Sequence, residues 1–147
     1  MVGVNVRAVI QLSQVVARGM IERGTGGAIV HVSSQSSTQA IQDRCAYSLT
    51  KASIDYLTKS MALELGPHGI RTNCVNPTVV MTPLGKEAWK DPAKREPMMA
   101  SIPLGRFAEP EDIASGIVLL LSDQASMVNG HIMPIDGGFL ASRKHLP

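Results

Sequence analysis

Ser33 to Lys51 read SSQSSTQAIQDRCAYSLTK, and this stretch decides the fold. It sets Ser34 thirteen residues before Tyr47, and Tyr47 four residues before Lys51. From about Ala46 the apolar set Leu49, Ala52, Leu57, Met61 and Leu65 predicts a long helix, closed by Gly66-Pro67. Residues four apart on a helix share a face, one turn apart. A free tyrosine has a pKa of about 10, and a neighbouring ammonium favours its phenolate; bringing the value to about 7 takes about 4 kcal/mol. A serine hydroxyl from another segment could then hold the carbonyl oxygen to which the phenol delivers its proton. Taken alone, Tyr-x-x-x-Lys is a weak signal, because a half-buried tyrosine followed by a solvated lysine arises on many helices by chance.

Upstream, Ala28 to Val32 is a short apolar run bounded by turn residues, as a buried parallel strand should be, and Ser34 follows it. Val4 to about Arg23 carries Val9, Leu12, Val16 and Met20 at helical spacing, ended by Gly24-Thr25-Gly26-Gly27. Downstream, Ile70 to Val75 predicts a second strand, followed by Asn76-Pro77-Thr78-Val79-Val80-Met81-Thr82. A loop-rich region, Pro77 to Phe107, holds short helices at Leu84 to Trp89 and Ala93 to Ala100. Glu109-Pro110-Glu111-Asp112 starts a helix, with proline in the first turn and acids at its positive end. That helix runs to about Ser122 and should bury Ile113, Ile117, Leu120 and Leu121. His131 to Ile135 reads as a last strand, ended by the Asp136-Gly137-Gly138 turn, and the polar tail 142–147 should fray.

Helices alternating with short apolar strands predict an α/β fold with a parallel sheet covered on both faces. Doubly wound dinucleotide folds open with a strand, a Gly-rich turn and a helix. The Gly-rich stretch present here, Gly24 to Ala28, leads into a strand and so cannot be the phosphate cradle. The expectation is therefore the carboxyl-terminal part of a Rossmann-like fold that lacks the nucleotide-binding first half, roughly 100 residues. Residues 1–141 would be the catalytic portion of a single domain.

The order strand, Ser34, Tyr47-x-x-x-Lys51 helix, strand, Asn76-Pro77-x-x-x-x-Thr82 resembles the short-chain dehydrogenase/reductase family over roughly Val4 to Leu140. NVRAVIQLSQVVARG, MALELGPHGIR, VNPTVVMT and IPLGRFAE resemble its branch of L-xylulose and dicarbonyl reductases. The resemblance implies Tyr47 as proton donor in carbonyl reduction and Lys51 as the group that lowers its pKa and binds the nicotinamide ribose. It implies Ser34 on the substrate oxygen, with Ser33 facing away as strand alternation requires. Asn5 matches the fourth member of the family's tetrad, which perturbs its helix and holds a water linking the lysine to solvent. Pro77, Thr78 and Val80 would meet the nicotinamide, Val80 most directly through its backbone, and Thr82 would reach toward the phosphates. Gln35, Ile41, Arg44 and Trp89 are the implied substrate contacts. Gln35 and Trp89 also read as a solvated loop residue and a core residue under a lid. Thr78 stands where the family more often has Gly, and His31 where it usually has Asn; His31 should affect packing and not chemistry.

By the same resemblance the cofactor would be NADPH, the substrate a small sugar ketone or dicarbonyl, and the full-length assembly a homotetramer. An NAD or NADP selector is not visible in the chain. Two cysteines among 147 residues are too few for a disulfide framework, which points to a reducing, cytoplasmic compartment. The opening segment loosely imitates a mitochondrial presequence, but the helix of the fold accounts for it better. The four histidines show no metal-ligand spacing, so no metal is expected. A net charge of +2 with 3% aromatic residues argues against a nucleic-acid partner, and no apolar run approaches the roughly 20 residues of a membrane span. Two competitors remain open: a truncated, inactive chain that at most associates with full-length subunits, and an epimerase or dehydratase using the same Tyr-Lys pair.

Overall fold

The computed structural model describes residues 1–141; the predicted fraying of 142–147 lies outside the described residues. Three parallel strands form one sheet in the order β1 (Gly27–Val32), β2 (Ile70–Pro77), β3 (Ile132–Ile135). Gly27 pairs with Ile70 and Val32 with Val75 at the ends of the β1–β2 ladder, and Cys74 pairs with Ile132 across β2–β3. The helices are α1 (Ala8–Arg23), α2 (Cys45–Leu65), α3 (Pro83–Ala88), α4 (Pro92–Ala100) and α5 (Pro110–Leu121). A strand, a crossover and a parallel neighbour are what alternating helical and short apolar segments dictate.

Side-chain alternation along β2 divides the molecule. Val75 points into a core with Ala108, Ile113, Leu120 and Ala125, against α5. Cys74 and Asn76 point the other way, toward Asp55 of α2. Leu120, Ile54 and Ile70 are at most 2% exposed, and each such side chain contributes roughly 1.5–3 kcal/mol by leaving water. Arg71, which shares the Val75 face, closes the end of α5 by donating to the carbonyls of Leu120 at 2.8 Å and Ser122 at 3.0 Å. These bonds satisfy carbonyls that a helix end leaves unpaired.

The α5 helix starts at Pro110, as its sequence signals predict. Its capping box is closed by Asp112, which accepts from the Glu109 amide at 2.8 Å. The expectation that Leu121 is buried is corrected: it is 46% exposed, because the stripe facing the sheet passes through Ile113 and Leu120. In α1 the fully buried residues are Ser13 and Ala17, while Leu12 and Val15 lie outward at 65% and 64% exposure. Inward-facing Ser13 meets His31 of β1 at 3.0 Å.

Gly24 ends α1 in the left-handed conformation at φ 65°, where glycine carries no Cβ penalty. β1 begins three residues later, so the Gly-rich stretch is a helix-to-strand turn, as its sequence context requires. Among the described residues no helix is long and apolar enough to cross a membrane, and no group of three or more His, Cys, Asp and Glu is placed to hold a metal ion.

Candidate active site

The chain emerges from the carboxyl ends of β1 and β2 at Ser33–Ser37 and at Asn76–Thr82, the end of the sheet where open α/β folds bind ligands. Helix α2 runs alongside and presents Tyr47 and Lys51 from successive turns. Lys51 Nζ lies 5.7 Å from the centroid of the Tyr47 ring and donates to the Val32 carbonyl at 3.1 Å. An ammonium has three donors, so two remain for other acceptors. Burial pulls the Lys51 pKa below its ordinary value, and the Asp55 carboxylate opposes that shift. The Tyr47 hydroxyl has no hydrogen-bond partner among the described residues, and its residue is half-buried.

The two serines at the end of β1 behave differently. Ser33 is 4% exposed and donates to the Lys51 carbonyl at 2.9 Å, which pins the strand end to the turn of α2 that carries the lysine. Ser34 Oγ accepts from the Ser36 amide at 3.2 Å and from Ser36 Oγ at 3.1 Å. A hydroxyl has two acceptor positions and one proton. Both acceptor positions of Ser34 are therefore filled, and its proton meets no acceptor among the described residues. That leaves a half-buried O–H donor at the strand end.

Asn5 sits within a π-helical turn, Gly3–Arg7, that precedes α1. Its Nδ2 donates to Thr50 Oγ1 at 3.1 Å, and Thr50 Oγ1 donates to the Tyr47 carbonyl at 2.7 Å. Asn5 thus bears on the tyrosine's turn of α2 through Thr50. π-bulges inside helices concentrate at functional sites.

Pro77, the last residue of β2, is buried. Thr78 Oγ1 is buried with no hydrogen-bond partner, an orphan that asks for a ligand. Val80 bridges Ala108, and Thr82 caps α3 by accepting from the Gly85 amide at 3.1 Å. The loop is tight: a Cβ on Gly85 would lie 2.0 Å from the Val80 carbonyl oxygen.

The implied substrate residues are more scattered. Gln35 is 5% exposed, and its Oε1 has no partner. Ile41 lines a cavity of about 320 Å³ with Cys45, Ser48 and Leu49. Those α2 residues lie on a different face from Tyr47 and Lys51, and Ser36 and Ser37, just after Ser34, line the same cavity. Arg44 is exposed and precedes α2 without capping it through its side chain. Trp89 packs edge-on against Phe107 with ring centroids 5.4 Å apart. His31 is buried between Ser13 of α1 and Thr58 of α2, at 3.0 and 2.8 Å.

Sequence reasoning passed over Asp55, Ser37 and Thr50. Asp55 had a signal: Tyr47, Lys51 and Asp55 stand at i, i+4 and i+8, one continuous helix stripe. Ser37 and Thr50 had none, because a short polar residue in a loop or before a lysine is unremarkable until its partner is known.

A parallel sheet, a serine at the end of one strand, a Tyr-x-x-x-Lys helix beside it and an Asn-Pro loop after the next strand are the architecture of a short-chain dehydrogenase/reductase. The chain belongs to that family: the family model described as enoyl-(acyl carrier protein) reductase matches residues 1–140. It is 58% identical over 139 residues to the L-xylulose reductase of Bos taurus, covering 95% of this chain and 57% of the relative. It is 54% identical to the D-erythrulose reductase of Gallus gallus, covering 95% of this chain and 56% of that protein. Among solved structures, a putative 2-deoxy-d-gluconate 3-dehydrogenase from Agrobacterium tumefaciens with bound NADP superposes with a TM-score of 0.92 at 33% identity, over 96% of this chain and 57% of that one. The chain thus spans a little over half the length of the curated relatives it matches.

Proposed function

We propose that these residues form the catalytic portion of an NADP(H)-dependent reductase acting on a small sugar ketone or dicarbonyl, of which L-xylulose is the model substrate. The observation that carries the reading is the pair of unspent O–H donors, Ser34 and Tyr47, beside a half-buried ammonium. The identities with L-xylulose and D-erythrulose reductases support the substrate class, and the NADP-bound structural neighbour supports the cofactor.

The residues fit the nicotinamide end of that cofactor. Thr78 Oγ1 is a buried orphan at the carboxyl end of β2, and Lys51, on α2, keeps two donors beyond its bond to the Val32 carbonyl. Tyr47, Lys51, Pro77, Thr78, Val80 and Thr82 would hold it. When bound, the nicotinamide supplies a hydride from C4 to the substrate carbonyl carbon.

The chain's own residues supply orientation and the proton. Ser34 O–H donates to the substrate carbonyl oxygen and fixes it for protonation. Tyr47 Oη delivers its proton to the same oxygen as negative charge develops there. Lys51 stabilises the phenolate that remains and binds a ribose hydroxyl with a free N–H. Asn5, acting through Thr50, holds the Tyr47 turn. Gln35 offers its unpaired Oε1 to a substrate hydroxyl, with Ile41, Arg44 and Trp89 as outer contacts.

The test is NADPH oxidation with L-xylulose, D-erythrulose and a small dicarbonyl. It is run on the chain alone and on the chain joined behind the amino-terminal portion of the bovine relative. The joined protein is expected to turn over. The chain alone is expected to show neither NADPH binding nor turnover. In the joined protein, Tyr47→Phe should lower kcat by roughly 10²–10⁴-fold with NADPH binding nearly unchanged. A joined protein that folds and binds NADPH yet reduces none of the three substrates would refute the reading.

A further inference from the structure

One turn beyond Lys51 on α2, the Asp55 side chain is a junction between three segments. Ser37 Oγ, in the turn that follows Ser34, lies 2.6 Å from Asp55 Oδ2 and 2.7 Å from the Ser34 carbonyl oxygen. Asn76 Nδ2, at the end of β2, donates to Asp55 Oδ2 at 3.0 Å and to Ser37 Oγ at 2.8 Å. Cys74 Sγ, also on β2, lies 3.7 Å from Asp55 Oδ1. A hydroxyl has one proton, so Ser37 shares its proton between a carboxylate and a peptide carbonyl, and the charged acceptor makes the stronger bond.

We propose that Asp55 is a positioning residue: its carboxylate locks the Ser34 turn, the end of β2 and the Lys51 turn of α2 into one register. The inference rests on the proposed function for the roles of Ser34 and Lys51. If the Asp55 carboxylate is replaced by an amide, the Ser37 proton moves to the Ser34 carbonyl and the Asn76 N–H that met Asp55 loses a charged acceptor. The Ser34 turn then loses its tie to α2, although Ser34 itself contacts Asp55 nowhere.

Charge distinguishes this role from packing. The ionisable groups beside Lys51 are Tyr47 and Asp55 from its own helix and Cys74 from β2. Burial, chiefly, pushes the Cys74 thiol up to about 12, so it is neutral at physiological pH and Asp55 alone bears charge there. Removing that charge should lower the Lys51 midpoint, whereas a loss of packing alone should not.

The experiment titrates Lys51 by NMR in the chain labelled with [13C]lysine, with the resonance assigned through Lys51→Arg. Asp55→Asn is expected to lower the Lys51 midpoint by about half a unit or more, while Ser37→Ala and Asp55→Glu leave it in place. An unchanged midpoint in folded Asp55→Asn overturns the proposal. In the joined reductase, Asp55→Asn, Asp55→Glu and Ser37→Ala should each lower kcat by between about tenfold and a hundredfold, with little change in KM for NADPH. If Asp55→Asn does not fold, full kcat in both Asp55→Glu and Ser37→Ala overturns the proposal. A joined wild type without turnover sinks the proposed function instead, and the lysine titration still decides for Asp55.

Discussion

Thr50 Oγ1 links Asn5 to Tyr47: it accepts from Asn5 Nδ2 at 3.1 Å and donates to the Tyr47 carbonyl at 2.7 Å. Thr50 is 2% exposed, so neither bond is replaced easily by water. Thr50→Val keeps the shape and deletes the hydroxyl, which strands the Asn5 amide donor. Leaving such a group unsatisfied costs about 1–3 kcal/mol. Chemical denaturation should show that loss, and Thr50→Ser should recover most of it. Equal stability of the valine variant would mean that the link is incidental.

Gly85 is required by space and not by backbone angle. Its added Cβ would meet the Val80 carbonyl oxygen at 2.0 Å and the Val80 carbonyl carbon at 3.1 Å, both backbone atoms. Gly85→Ala must therefore displace the Asn76–Thr82 loop from α3, breaking the 3.1 Å cap from the Gly85 amide to Thr82. Overpacking of this kind costs typically about 1–3 kcal/mol. The urea midpoint should fall with its slope unchanged, and NADPH binding by the joined protein should weaken. Unaltered binding would show that this loop does not shape the cofactor site.

How far this was legible in the sequence depends on what each feature rests on. The strands β1 and β2, the capped start of α5 and the turn at Gly24 follow from short-range rules, and the structure places them within a residue or two of the sequence reading. Leu121 escaped because apolar spacing gives a stripe but not its centre, and the sheet sets the centre. The perturbed helix at Asn5 was implied by the family resemblance alone, because one extra residue per turn has no compositional mark. Asp55 sat in plain view at helical spacing from Lys51. Its meaning required knowing that strand alternation turns Asn76 toward it and that a loop returns Ser37 to the same point.

The two cysteines should part company. Cys45 is exposed at the start of α2, while Cys74 is fully buried and its thiol is pushed up to about 12, first by burial and then by the Asp55 charge. The thiolate is the reactive form. A thiol reagent at neutral pH should therefore titrate one group per native chain and two in denaturant. Two fast thiols in the native chain would show that the α2–β2 contact opens readily.

His31 should make stability depend on pH in a defined direction. The Thr58 hydroxyl donates to the Ile54 carbonyl at 2.9 Å, so toward His31 it can only accept. The network therefore assigns the proton to Nδ1, leaving Nε2 to accept from Ser13 at 3.0 Å. Burial holds the His31 pKa below its ordinary value of 6.5. Between the folded value and 6.5 the unfolded chain binds a proton that the native chain refuses, so native stability rises with pH across that window. The contribution is complete above about 6.5, is lost at up to about 1.4 kcal/mol per unit as pH falls, and levels off below the folded value. His31→Asn removes the titration. Unfolding free energies of both proteins, measured between about pH 5 and 8, should give a difference curve whose pH-dependent part favours the histidine protein more at the alkaline end. A flat curve, or one rising toward acid, would show that His31 is charged in the native fold or paired with groups other than Ser13 and Thr58.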